Sequence, residues 1–218
     1  MARAIDRAAK EHALRHIGMP DCLHVPIAAV DAAAIRTYIG EIVQELGRGS
    51  PPKALLVQID EPPPRDRSLP IWAYEKSRIF FQRDQVWVRV EYTRYRQAYQ
   101  KAFPSEDIGG KILSHCMNRR IASLKGFQYV RITPTSRAAN SSSAFSEGWG
   151  VALYGKPNEL TAFKRRGVAI QYADLSDLML MLDLSLGGGI MDAVNAGQKL
   201  VLPPAQGALK WPRDTKLD

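Results

Sequence analysis

Apolar residues recur along this chain with two periods. After Asp31, a residue of N-cap type, Ile35, Tyr38, Ile39, Ile42, Val43 and Leu46 return every three or four positions. Gly47 then stands where a left-handed residue ends a helix, so the spacing predicts one helix from Asp31 to Gly47. "KALLVQI" (53–59) is short, apolar and bounded by breakers, the pattern of a buried strand. The proline run in "DEPPPRDRSLP" can join neither a sheet ladder nor a helix interior, which makes it a loop. "SRIFFQ" and "QVWVRVEY" follow as an expected antiparallel hairpin. In the second strand Val86, Val88 and Val90 alternate with Trp87, Arg89 and Glu91, which predicts one buried and one exposed face.

"TRYRQAYQKAF" predicts a helix with Tyr95 and Tyr99 on one side. "IGGKIL" reads as a strand running into His115, "NRRIASLKG" as a helix closed by Gly126, and "FQYVRI" as a further strand. "TPTSRAANSSSAFSEGWG" reads as a long polar loop and "VALYG" as a strand. "PNELTAFKRRG" is a helix, "VAIQY" a strand, and "DLSDLMLMLDLSL" an apolar helix capped by Asp174. A glycine turn and one more helix close the series, and residues 3–17 predict a short amphipathic helix at its start. Helices and strands mix without a sustained βαβ rhythm. The fold class is therefore α+β, a mixed or antiparallel sheet with several flanking helices. Residues 1–202 are expected to form a single domain, with a sub-boundary near 150 as the other division, and 203–218 a loosely ordered tail.

With 45% apolar residues in 218, the chain can bury a core. No run approaches the length of a membrane-spanning helix, and the charged N-terminus does not read as a secretory signal, so the expected location is cytoplasmic. Cys22 and Cys116 each stand alone, which excludes a zinc ribbon and fits two reduced thiols. The net charge of +8 is unevenly placed: residues 76–137 hold thirteen Lys and Arg against four Asp and Glu. From Gly150 onward the count is eight against seven. An anionic partner is implied, nucleic acid first. Nine of the 18 aromatic residues lie between Trp72 and Phe103, seven of them inside the basic zone, where stacking and phosphate contacts can be combined. Trp87 is the expected exposed platform.

Candidate chemistry gathers at 114–145. A histidine-dependent phosphodiesterase needs a neutral imidazole as base, an amide to fix its loop, an oxygen ligand for a metal, and basic residues to hold the backbone. His115, Asn118 and Asn140 supply the first three types, and Arg119, Arg120, Arg131 and Arg137 the last. Arg89, Arg94 and Arg96 extend the same basic surface. A strand ending in His, an "NRR"-helix-Gly-strand unit and a polar segment carrying Asn together resemble the HNH (ββα-metal) nuclease pattern over residues 111–147. The resemblance implies His115 as base and Mg²⁺ or Mn²⁺ as cofactor. Two departures from the pattern matter. Ser114 stands where the family carries a metal-binding Asp or His, and Asn140 stands where a second histidine is frequent. These departures imply a degenerate centre.

Other templates fit less well. Cys116 beside His115 is not a dyad, because strand neighbours face opposite ways. Neither G-x-S-x-G nor a P-loop occurs, "LGGGIMDAVNAG" reads as a turn, and the His12/His16 pair lacks a carboxylate partner. The leading expectation is a bacterial nucleic-acid-binding protein, of DNA or of RNA, with a degenerate nuclease-like centre, from a mobile element such as a plasmid or phage. A regulator that presses its basic surface on an acidic protein partner is the alternative. Plasmid fertility inhibition acting on conjugation is an example. An active metal-dependent endonuclease is the second alternative.

Overall fold

The computed structural model describes residues 25–59, 82–142, 148, 151–152, 154–173 and 175–185. The expected helix at 3–17, the proline loop, nearly all of "SRIFFQ", Asp174, Cys22, the His12/His16 pair and everything from 186 onward lie outside them.

Strand β1 (Pro26–Ala29) leads into helix α1 (Ala32–Tyr38). Asp31 caps this helix, its Oδ1 accepting from Ala34 N at 2.7 Å. The helix stops nine residues earlier than the spacing predicts, and Glu41–Gly47 is strand β2. Tertiary pairing decides this: β2 zips antiparallel onto β3 (Ala54–Gln58) from Glu41↔Gln58 to Gly47↔Ala54. Gly40 permits the change of direction, since a Cβ there would lie 2.2 Å from the Gln58 carbonyl oxygen.

β3 pairs with β4 (Asp84–Arg89), β4 with β6 (Tyr129–Thr135), β6 with β1, and β1 with β7 (Ile170–Tyr172). The spatial order is β2-β3-β4-β6-β1-β7, and every pairing is antiparallel. β5 (Ile112–His115) stands apart from this path. It pairs with the far half of β6, from Ile112↔Thr135 to His115↔Ile132. β6 therefore belongs to the main sheet by its first half and carries β5 by its second. The fold is α+β with an antiparallel sheet.

Both faces of the sheet are covered. On one, Leu55, Val57, Trp87 and Tyr129 pack with Ile35 of α1. On another side Val86 and Val88 meet Ala98 and Tyr99 of α2 (Tyr95–Ala102). Hence β4 is buried on both faces, and the expected exposed face is absent. A third cluster gathers Ile27, Val130 and Phe127 under α3 (Arg119–Lys125), α5 (Pro157–Arg165) and α6 (Leu175–Met181), through Ile121, Phe163 and Met181. The elements after residue 150 thus share the core of those before it.

Two further expectations change. The polar stretch after "FQYVRI" begins as the end of β6 and continues as helix α4 (Arg137–Ser142). In "VALYG", Val151, Ala152 and Tyr154 are helical. Tyr154 packs edge-on to Phe163, and Lys125 Nζ lies 4.1 Å from its ring centre. Packing of this segment against α5 and α3, through Phe163 and Lys125, takes the place of the expected strand pairing. Among the described residues no helix is long and apolar enough to cross a membrane.

Candidate functional site

His115 is the last residue of β5, where the chain leaves the sheet for α3. The exit is held from both sides. Cys116 N donates to Arg131 O at 2.8 Å, and Asn118 Oδ1 accepts from Arg120 N and Ile121 N at 2.9 and 3.3 Å. Asn118 is thus the N-cap of α3, and it fixes the connection that follows His115. At the other end Gly126, at φ 90°, closes the helix.

α4 approaches β5 from across the cleft. Its Asn140 Oδ1 accepts from Ser114 Oγ at 2.8 Å, tying the two elements together. α4 itself is anchored by Asp183, whose carboxylate accepts from Ser136 N and from Thr135 Oγ1. Ser136 Oγ in turn accepts from Ala139 N at 3.1 Å. Burial would raise the Asp183 pKa, but hydrogen bonds from Ser136 and Thr135, with Lys111 Nζ 3.6 Å away, outweigh it and hold the carboxyl below its ordinary value.

Between α2, β5, α3 and α4 lies a cleft of about 780 Å³. Tyr95 and Arg96 come from α2, Ile112 to His115 from β5, Asn118, Arg119, Arg120 and Ser123 from the α3 side, Asn140 from α4, and Val90 and Glu91 from the turn after β4. The Tyr95 ring stands edge-on to His115, with centroids 4.7 Å apart at 70°. Burial, followed by the charge of Arg119, depresses the His115 pKa to about 4, so the imidazole is neutral at pH 7. Its Nε2 is shut off from solvent and has no hydrogen-bond partner among the described residues. Nε2 is thus turned away from solvent and is not placed to take a proton from an attacking water.

Of the residues singled out by sequence, His115, Asn118, Asn140, Arg96, Arg119 and Arg120 meet at this one cleft. Five others do not line it. Trp87 is wholly buried, donating its indole N–H to Gln85 Oε1 at 3.2 Å, and so is no exposed platform. Arg131 is only 1% exposed, which removes it from phosphate contact. Its position opposite Trp87 in the β4–β6 ladder places it inside the sheet. Arg89 is half-buried with Nε 2.6 Å from Glu91 Oε1, though that N–H is not aimed at the oxygen and makes no hydrogen bond. Arg94 and Arg137 are exposed at the starts of α2 and α4, outside the cleft lining. Sequence reading passed over Tyr95 as a partner of His115, because the contact joins residues twenty positions apart in different elements. The only signal for it was the mixing of tyrosine with arginine in "TRYRQAY".

The donor set suits a hard divalent cation poorly. Mg²⁺ and Mn²⁺ favour carboxylate oxygens. Here Ser114 and Asn140 are bonded to one another, and Glu91 is drawn to Arg89. No group of three or more His, Cys, Asp or Glu among the described residues could hold a metal. Cys116 offers no nucleophile either, since burial pushes its thiol up to about 12. A scan of family models and searches of curated proteins and of solved structures give no match to this chain.

Proposed function

We propose that this chain is a nucleic-acid-binding protein, and more narrowly one that grips the sugar-phosphate backbone at the His115 cleft without cutting it. The observation that supports this most is the meeting of three exposed arginines, Arg96 from α2 and Arg119 and Arg120 from α3, at one cleft. Among the described residues no ion pair engages any of them. Two of the three also occupy the first turn of α3, where positive charge opposes the helix dipole. Local stability disfavours that placement, and binding of an anion offsets it. The weak metal donor set and the occluded Nε2 favour gripping over hydrolysis. A cytoplasmic location goes with this reading.

Binding of labelled DNA and RNA across a salt series, with and without Mg²⁺ or Mn²⁺, tests it. Affinity should fall steeply with salt as counterions are released, and no cleavage should appear. The double variant Arg119→Ala/Arg120→Ala should lower the log–log salt slope by roughly 0.7–0.9 for each phosphate it no longer neutralises. Metal-dependent cutting that His115→Ala abolishes would overturn the non-cutting half of the proposal. Failure to bind nucleic acid at any salt would overturn the whole, and direct the search to an acidic protein partner.

A further inference from the structure

The cleft is charged outside and ring-lined inside, and that division identifies what enters it. Arg96, Arg119 and Arg120 are exposed, whereas Tyr95 and His115 are partly buried and meet edge to face. Val90, Ile112 and Leu113 supply apolar wall, and the bonded pair Ser114–Asn140 supplies a polar edge. A phosphate drawn inside would lose water against rings and aliphatic carbon. A nucleobase has the opposite character: two apolar faces that stack on aromatic rings, and a hydrogen-bonding rim. The volume of about 780 Å³ lies in the range of sites that enclose a small ligand. A duplex presents its phosphates outward and its bases stacked within, so it can touch the arginines but cannot fill the cleft without extruding a base.

Resting on the nucleic-acid reading above, we infer that the cleft receives one unpaired nucleobase against Tyr95 while the arginines hold its flanking phosphates, so that the ligand is a single strand. Tyr95 is then the stacking residue, and base content rather than backbone charge supplies the preference for single strand over duplex.

Fluorescence anisotropy of the full chain at one fixed salt concentration tests this, with four labelled probes of equal length. These are a deoxythymidine decamer, a decamer of abasic deoxyribose phosphates, a blunt DNA duplex and a uridine decamer. The deoxythymidine strand should bind about tenfold tighter than the abasic strand and tighter than the duplex. Tyr95→Ala should shrink the base-dependent difference to about twofold or less, while Tyr95→Phe retains it; rescue by phenylalanine separates stacking from a folding defect. The uridine strand resolves DNA from RNA as the source of the base, and tighter binding of either one fits the inference. Equal affinity for abasic and base-bearing strands, or tighter binding of duplex, would overturn it. If Arg119→Ala/Arg120→Ala still weakens all probes in that case, backbone gripping survives alone. No binding of any probe removes both readings.

Discussion

Arg131 and His115 illustrate how a residue type changes meaning with burial. As one of a run of basic residues Arg131 invites a phosphate, yet it is 1% exposed within β6, and burial depresses its pKa. Arg131→Ala should therefore destabilise the fold by on the order of 3 kcal/mol in denaturant unfolding, because it leaves a cavity where a large buried side chain stood. It should leave the salt slope of the proposed nucleic-acid binding unchanged in any protein that remains folded. An altered slope with normal stability would return Arg131 to the binding surface. For His115 the folded pKa, near 4, lies below the unfolded 6.5. Between those values the unfolded chain binds more protons, so stability falls as pH drops from about 6.5 towards 4 and levels off below. His115→Phe should flatten that part of the stability–pH curve, measured by urea unfolding at several pH values. An unchanged curve would show that the imidazole is not held neutral by burial.

Among the elements, α3 shows most directly how local sequence sets up the cleft. Asn118 accepts from two backbone N–H groups and Gly126 adopts a left-handed conformation, so both ends are specified by residue type. Asn118→Ala should cost about 1 kcal/mol of stability by thermal or urea unfolding. Asn118→Asp should recover most of it, since a carboxylate also caps. The Asp variant adds negative charge beside Arg119 and Arg120, and it should weaken the proposed nucleic-acid binding while remaining stable. Such a split distinguishes the cap from the grip. α1 and β2 show the reverse case. Ile42, Val43 and Leu46 continue a helical spacing from Ile35, but the same residues are β-branched or apolar enough to lie in a strand. Pairing with β3, outside any window around them, decides between the two.

Across the whole molecule, β6 is the organising strand. Its first half is clasped between β4 and β1, and its second half carries β5 and hence His115. Val130 and Tyr129 are fully buried there, as are Trp87 and Val88 on β4. Amide hydrogen exchange should be slowest in β4 and the first half of β6, and faster in the more exposed β2, the outermost strand among the described residues. Exchange in β2 as slow as in β4 would contradict that order. The cleft is thus built at the border of the rigid sheet, with α2, α3 and α4 converging on its outlying strand.

Much of this was legible in the chain itself. The caps and stops of α3, the strand ending in His115, the apolar runs of β3 and β6 and the basic middle segment all follow from residue type and short spacing, because local backbone preference and charge act within a few positions. The α+β class followed from the order of those elements. Long-range packing decided the rest. It buried Trp87 and Arg131, converted Glu41–Gly47 from helix to strand, folded Arg137–Ser142 into a helix, and set Tyr95 against His115 and Asn140 against Ser114. Each of these depends on which surfaces meet across the sheet. Burial and contact are properties of the assembled chain, since the free energy of covering a side chain is set by its neighbours in space.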